Sequence, residues 1–120
     1  MIVEDNEEIQ KYIVESFTDS FEVITANNGE EGTQQALSRI PDIVVSDIMM
    51  PVMDGITLCK QLKDDVRTSH IPIILLTAKD SLQDKEEGYE VGADSYLTKP
   101  FSASLLRSRI NNLLDSRKKL

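Results

Sequence analysis

The stretch DIVVSDIMMPVMDG, residues 42–55, joins a short apolar run to a methionine-rich loop through a single aspartate, Asp47. The β-branched residues before Asp47 predict a buried strand that ends at this carboxylate. A carboxylate at the mouth of a hydrophobic strand is costly unless another group compensates its charge. We therefore expect the fold to bring compensating groups to Asp47.

Segments with strand-like and helix-like patterns alternate along the whole chain. Strands are predicted in residues 1–5, 21–26, 42–47, 71–78 and 94–100. Helices are predicted in residues 6–20, 27–40, 55–66, 81–93 and 102–120. Five successive βα units favour an α/β fold, in which a five-stranded parallel sheet is covered by helices on both faces. In such a doubly wound sheet, the ligand site lies beyond the carboxyl ends of the strands, near the point where the strand order reverses.

Helical spacing also predicts which helix residues face the core. The expected inward residues are Ile9, Ile13 and Phe17 with Tyr12 alongside, then Ala36, Leu37 and Ile40, then Leu58, Leu62 and Val66, and finally Leu106, Ile110, Leu113 and Leu114. Asn6 and Ser102 are the predicted N-caps of the first and last helices. Gly88 is expected to interrupt the fourth helix, because glycine is a poor helix former.

Length and charge restrict the class of protein. The 120 residues predict a single domain over residues 1–120, with residues 115–120 as the start of a linker. A net charge of -8 and a pI of about 4.6 argue against a broad nucleic-acid surface, so we expect no direct binding of nucleic acid. The sequence has no apolar run of membrane-spanning length and no signal-peptide pattern, which favours a cytoplasmic location without membrane insertion. Cys59 is the single cysteine, so no intrachain disulfide is expected.

The order of the predicted strands gathers polar groups at one edge of the sheet. The first strand ends on Glu4 and Asp5, the third on Asp47, the fourth on Thr77 and the fifth on Lys99. Carboxylates held close together raise one another's pKa unless a cation intervenes, and Mg2+ takes oxygen ligands of this kind. Lys99 and Thr77 add a positive charge and a hydroxyl donor. Together these groups predict a site that stabilises a phosphoryl group, with a carboxylate as its acceptor.

Four motifs, taken together and in order, resemble the receiver domain of two-component response regulators over essentially the whole chain. They are VEDN (3–6), VVSDIMMPVMDG (44–55), ILLTA (74–78) and GADSYLTKPF (92–101). The resemblance implies a flavodoxin-like (βα)5 fold with strand order 2-1-3-4-5. It also implies a bacterial signalling switch in a phosphorelay rather than an enzyme. Such a switch receives its phosphoryl group from a phosphohistidine of a sensor histidine kinase.

The resemblance assigns roles around the acidic cluster. Asp47 would be the phosphoacceptor and would also bind Mg2+ (or Mn2+). Asp5 would bind the metal directly, Glu4 would bind it through water, and the main-chain carbonyl of Met49 would complete the ligand set. The pair Glu4-Asp5 departs from the commoner Asp-Asp, and the first strand is shorter than is usual in relatives.

The resemblance also implies a conformational switch. Thr77 and Lys99 would contact the phosphoryl group, Tyr96 would turn inward when Thr77 moves, and the Lys99–Pro100 bond would be cis. The surface of the fourth helix, fifth strand and fifth helix would then change and control an output domain, a partner protein or a homodimer. The tail of the chain is also similar to receivers embedded in hybrid sensor kinases.

The sequence disfavours three other functions. An aspartate-nucleophile phosphohydrolase would need a second acid two residues after Asp47, where this chain has Met49. A degenerate receiver-like module that only binds partners would lack the acceptor or the lysine, and this chain has both. A flavodoxin-like cofactor binder would need a phosphate-binding loop after the first strand, where VEDNEE (3–8) is acidic.

Overall fold

The computed structural model describes residues 1–78 and 82–118 of the chain. Within these ranges, strands and helices alternate as the sequence pattern predicts. The elements are β1 (Ile2–Val3), α1 (Glu7–Phe17), β2 (Thr25–Ala26), α2 (Gly29–Arg39), β3 (Val44–Asp47), α3 (Gly55–Asp64), β4 (Ile73–Thr77), α4 (Leu82–Glu90), β5 (Ser95–Thr98) and α5 (Ala103–Lys118). No helix in the two described ranges is both long and apolar enough to cross a membrane.

The strands β1 to β5 form one parallel sheet in the order β2-β1-β3-β4-β5. This order confirms the predicted α/β fold and its strand order. The chain leaves β1 for β2 on one side and then returns to β3 on the other, so its direction reverses between β1 and β3. Ligand sites of doubly wound sheets lie at this reversal, beyond the carboxyl ends of the strands. Glu4 and Asp47 stand on either side of it.

The sheet is buried on both faces. Val44 and Leu75 belong to the cluster that packs beneath α2, α3 and α4, whereas Val45 and Leu76 belong to the cluster beneath α1 and α5. Successive residues of a strand point to opposite faces, so a strand covered on both sides needs an apolar residue at nearly every position. This explains the unbroken apolar run of β4, which is buried along its whole length.

The predicted N-caps of the first and last helices are confirmed. Asn6 Oδ1 accepts a hydrogen bond from the N–H of Ile9 at 3.0 Å, at the start of α1. Ser102 Oγ accepts one from the N–H of Leu105 at 3.0 Å, at the start of α5. Each cap satisfies a backbone donor that the first turn of a helix leaves unpaired. Both helices therefore begin directly after a loop at the carboxyl edge of the sheet.

Tyr12, which was predicted alongside the inward face of α1, is 48% exposed. Two further residues that were predicted to face the core, Ile40 and Val66, do not. Ile40 follows the last residue of α2 with a φ of 44°, and its side chain is exposed. Val66 lies beyond the end of α3 and is 90% exposed. The backbone of Asp65 is extended and ends that helix, while the hydroxyl of Thr68 donates to the Leu62 carbonyl at 2.7 Å. Both predictions were wrong because the helical spacing was continued past the helix end.

The strand β2 and the helix α4 also differ from the predictions. The strand β2 covers two residues rather than residues 21–26, and the Phe21 ring instead packs against the Phe17 ring with centroids 6.0 Å apart. Gly88 does not interrupt α4 but lies buried inside it. Residues 115–118 lie in α5, in agreement with the helix predicted over residues 102–120, and residues 119–120 lie outside the described part of the chain. The start of a linker at residues 115–120 stays a prediction.

Candidate functional site

The parallel register brings the predicted site residues to one edge of the sheet. The last residues of β1 pair with β3, and the last residues of β4 pair with β5. Glu4 therefore follows β1 beside Asp47, and Lys99 follows β5 beside Thr77. Asp5 continues from Glu4 into the loop before α1. This edge is the one at which the strand order reverses.

Lys99 joins the two buried carboxylates of the site. Its Nζ lies 2.9 Å from Oδ2 of Asp47 and 3.3 Å from Oε1 of Glu4. Its backbone N–H donates to the Thr77 carbonyl at 2.8 Å, and its bond to Pro100 is cis. Burial opposes the ammonium charge, but the hydrogen bond and charge of Asp47, followed by those of Glu4, outweigh burial and raise the pKa of Lys99. Lys99 is therefore a charged donor held against Asp47.

Glu4 is the most buried carboxylate of the site, with 1% of its surface exposed. Burial, and after it the charge of Asp47, raise the pKa of Glu4 from 4.5 to about 7. The N–H of Asn6, which donates to Oε2 at 3.2 Å, and the charge of Lys99 act in the opposite direction. Glu4 is therefore balanced between its neutral and charged forms near neutral pH, and a nearby cation would favour the charged form.

Glu4, Asp5 and Asp47 each offer a carboxylate oxygen, and these oxygens lie within 4.8 Å of one another. Asp5 is exposed, whereas the other two carboxylates are buried. Hard divalent cations such as Mg2+ bind oxygen ligands of this kind and retain several waters. The exposed side at Asp5 leaves room for those waters, so the residues present fit a divalent cation.

The loop after β3 folds back against the end of that strand. The N–H of Gly55 donates to the Ile48 carbonyl at 2.9 Å. A Cβ at Gly55 would overlap the carbonyl oxygen of Asp47, so this close approach requires glycine. Asp54 then caps α3 by accepting a hydrogen bond from the N–H of Thr57 at 2.8 Å. Together these contacts fix the backbone that carries Asp47.

The methionines of this loop lie in different environments. The carbonyl of Met53 accepts a hydrogen bond from the N–H of Gly29 at 2.9 Å and ties the loop to the start of α2. The side chain of Met49 is 71% exposed. The role that the resemblance implies for Met49 belongs to its main-chain carbonyl, and it stays a prediction.

The two residues of the predicted switch are both buried. The Thr77 hydroxyl donates to the Ala78 carbonyl at 3.4 Å. Tyr96 has 7% of its surface exposed, and its ring meets the Tyr89 ring edge-on with centroids 4.6 Å apart. Tyr96 thus occupies the inward position in this structure. Its role in a switch stays a prediction.

Gln10 contributes to the site in a way that the sequence analysis missed. Its side-chain nitrogen lies 3.0 Å from the Glu4 carbonyl, 3.3 Å from the Ala26 carbonyl and 3.1 Å from Oδ1 of Asn27. Gln10 thereby ties the loop that carries the acidic pair to the loop after β2. Polar residues on an amphipathic helix usually face solvent, so the sequence pattern carried no signal for these contacts.

A family model described as the response regulator receiver domain matches residues 1–111 of the chain. Two curated proteins are similar in sequence. Histidine kinase P4 of Formosa agariphila is 40% identical over 120 residues, which cover 100% of this chain and 9% of that protein. The alkaline phosphatase synthesis transcriptional regulatory protein PhoP of Bacillus subtilis is 42% identical over 115 residues, which cover 95% of this chain and 47% of that protein. The chain thus spans less than half the length of either relative.

A solved structure of similar fold is the receiver domain of a sensor histidine kinase from Pseudomonas aeruginosa. The TM-score is 0.88 at 26% sequence identity, and the match covers 95% of this chain and 94% of that one. That structure is described as having a magnesium ion coordinated in its active site cleft.

Proposed function

The chain belongs to the response regulator receiver family, and from this membership we propose that Asp47 is the residue that accepts the phosphoryl group. Receiver domains are the regulatory phosphoacceptor domains of two-component signalling. The observation that supports the assignment most directly is the position of Lys99, whose Nζ lies 2.9 Å from Asp47. A carboxylate held by a lysine beside two further carboxylates, where the strand order reverses, suits a phosphoacceptor.

The proposed reaction is transfer from a phosphohistidine of a sensor histidine kinase. A carboxylate oxygen of Asp47 attacks phosphorus, so that an O–P bond forms while the N–P bond breaks. The departing imidazole nitrogen then takes up a proton from solvent. Such a transfer depends mainly on positioning and charge neutralisation. Lys99 supplies a neutralising charge, and Thr77 offers a hydroxyl donor from the end of β4.

Mg2+ (or Mn2+) is the cofactor that we propose for this site. Asp5, Asp47 and the main-chain carbonyl of Met49 would hold the metal directly, and Glu4 would hold it through a water molecule. When bound, the cation neutralises charge that the phosphoryl oxygens bring to the site. The cluster of three carboxylates supports this proposal, as does the magnesium ion in the cleft of the Pseudomonas receiver. Glu4 suits an indirect role because the N–H of Asn6 and the ammonium of Lys99 already engage its oxygens.

The chemistry of the domain itself would be limited to uptake and slow hydrolysis of the phosphoryl group. A phosphohydrolase that uses an aspartate nucleophile needs a general acid to protonate its leaving group. Two residues after Asp47, where such an acid would stand, this chain has Met49. A thioether cannot donate a proton, so the site favours a regulatory acceptor over a turnover enzyme.

The output would be a change of surface. We expect Thr77 and Lys99 to approach the phosphoryl oxygens, and we expect the movement of Thr77 to favour the inward position of Tyr96. The surface formed by α4, β5 and α5 would then meet an output domain, a separate partner protein or a second copy of the chain. Phosphorylation can shift such an equilibrium only by the difference in its interaction with the two states.

Replacement of the acceptor tests the assignment. We expect the wild-type chain to take up label from radioactive acetyl phosphate with Mg2+, and we expect Asp47→Asn to take up none, because an amide oxygen is a poor nucleophile and carries no charge. Asp54→Asn is the matched control, since it changes an aspartate of the same loop and retains an N-cap for α3. Wild-type levels of labelling in Asp47→Asn would contradict the assignment.

A further inference from the structure

Gly88 occupies a position where glycine is unfavourable for the helix that contains it. It lies in the last turn of α4, two residues before the helix ends, and a glycine at a helical position is less stable than alanine because its backbone loses more freedom on folding. Its surroundings explain the choice. A Cβ built at Gly88 would overlap the hydroxyl and the ring carbon Cζ of Tyr96, and it would lie 2.9 Å from Cδ1 of Leu75. The space left by the absent side chain is filled by the Tyr96 phenol.

The helix α4 and the strand β5, which meet at this contact, are both held by hydrogen bonds. Leu75 pairs with Tyr96 across β4 and β5, so the two side chains stand next to each other beneath α4. The Tyr96 carbonyl lies 3.3 Å from a guanidinium nitrogen of Arg109 in α5. The Gly88 carbonyl accepts a hydrogen bond from the N–H of Ala93 at 2.9 Å, which ties the helix to the turn before β5. Because these contacts hold both backbones, we expect the side chain of Tyr96 to respond to a group added at position 88.

We propose that Gly88 is a positioning residue that holds open the inward site of Tyr96, so that α4 and the Tyr96 phenol can occupy their places together. The inference rests on the proposed function, in which phosphorylation favours the inward position of Tyr96. It adds a residue on α4 to that account. A side chain at position 88 would disfavour the inward position and turn the ring out past Tyr89, whose ring is its edge-on neighbour.

By thermodynamic linkage, the same change would weaken the response to phosphorylation. If phosphorylation favours the inward position of Tyr96, then a substitution that disfavours this position must lower the affinity of the site for a phosphoryl group by the same coupling. The three atoms nearest to a Cβ at position 88 belong to Tyr96 and Leu75 and not to the carboxylates of the site, so we expect the effect to pass through Tyr96. Removing the Tyr96 ring should therefore remove the effect.

Tyrosine fluorescence provides a direct measurement, because the chain has no tryptophan and three tyrosines. In a Tyr12→Phe/Tyr89→Phe background, Tyr96 is the single tyrosine, and its quenching by acrylamide reports its exposure. We expect Gly88→Ala to increase the quenching constant at least about twofold. Glu86→Ala is the matched control, since it changes an exposed residue of the same helix and should leave the quenching unchanged. Tyr96 that stays as shielded in Gly88→Ala as in the parent would overturn the proposal.

Beryllofluoride with Mg2+, a stable phosphoryl analogue, measures the coupling. We expect Gly88→Ala to bind it about fivefold or more weakly than the wild type, in line with typical couplings between sites, and we expect no such loss when Gly88→Ala is made in a Tyr96→Ala background. Equal losses in both backgrounds would mean a general structural effect and would overturn the proposal. Failure of the wild type itself to bind beryllofluoride would count against the proposed function, while the quenching result would still decide the role of Gly88.

Thermal denaturation distinguishes the effect of the collision with the Tyr96 ring from the effect of the substitution on the stability of the helix. Gly88→Ala should lower the denaturation midpoint of the wild type, because the added methyl group collides with the phenol. In the Tyr96→Ala background the same substitution should raise the midpoint, because alanine is the better helix former once the ring is gone. A lowered midpoint in both backgrounds would contradict the assignment of Tyr96 as the group that Gly88 accommodates.

Discussion

At the scale of single residues, the site contains one positive charge, on Lys99, between two buried carboxylates, Asp47 and Glu4. A further cation is needed to balance the second carboxylate. Lys99 contacts both Asp47 and Glu4, so one ammonium compensates two buried carboxylates. The remaining imbalance appears in Glu4, whose pKa rises to about 7 through burial and the charge of Asp47. Without a metal, a proton on Glu4 therefore reduces the excess of negative charge in the site. A bound divalent cation would reduce the same excess.

This proton makes the stability of the metal-free protein depend on pH. Because the pKa of Glu4 is higher in the folded protein than its ordinary 4.5, the folded state binds more protons between about pH 4.5 and 7. The contribution of protonated Glu4 to the free energy of unfolding is therefore fully present below that window and is lost as pH rises through it. In EDTA, we expect the free energy of unfolding by urea to fall by roughly 1–3 kcal/mol more across this window in the wild type than in Glu4→Gln.

Glutamine is the suitable comparison because it stays neutral and can still accept from Asn6 and Lys99. Excess Mg2+ should reduce the loss in the wild type at neutral pH, since the cation favours the carboxylate. An identical pH dependence in wild type and Glu4→Gln would contradict the role assigned to the buried carboxyl.

At the scale of elements, the loops after the strands decide where the site residues stand. The strands β1, β3, β4 and β5 end at the same edge of the sheet, and the loops after β1 and β3 make contacts that hold the residues at those two strand ends. Asp54 is an example, because its side chain caps α3 while the loop before it folds against Asp47. Gln10 does the same for the acidic pair by bridging two loops.

The Asp54 cap gives a prediction at this scale. We expect Asp54→Ala to lower the free energy of unfolding by about 1 kcal/mol, because the N–H of Thr57 loses its acceptor. Asp54→Asn should be close to the wild type, since asparagine is an equally good cap. Urea denaturation of the three proteins measures the difference. Equal losses in the alanine and asparagine variants would show that the charge, rather than the cap, carries the stability.

Patterns along the chain predicted the strands and helices well where the structure depends on neighbouring residues in the sequence. The unbroken apolar run of β4 and the caps at Asn6 and Ser102 were sufficient, because each depends on local chemistry. The pattern failed where tertiary contacts determine where a helix ends or which residue fits at a position. Val66 has the right spacing for the core, yet α3 ends before it. Gly88 was predicted to interrupt α4, yet the helix continues through it. The reason for a glycine at this position is a tertiary contact, since the Tyr96 ring occupies the space of a side chain there.

At the scale of the whole molecule, the parallel sheet converts sequence order into a site. The strand order 2-1-3-4-5 could be predicted from the motifs, and with it the gathering of Glu4, Asp47, Thr77 and Lys99 at one edge. The way in which Lys99 is shared between two carboxylates could not be predicted, because it depends on side-chain positions across three strands. The contact of the Tyr96 phenol with Gly88 of α4 could not be predicted for the same reason.

The central claim is that the phosphoryl group is carried by Asp47. The most direct measurement is to phosphorylate the chain with acetyl phosphate and Mg2+, reduce the acyl phosphate with borohydride, and locate the modified residue by peptide mass spectrometry. Reduction of an aspartyl phosphate leaves homoserine in place of the aspartate. We predict homoserine at position 47 and unmodified aspartate at positions 5 and 54. Homoserine at either of those positions, with intact aspartate at position 47, would contradict the account.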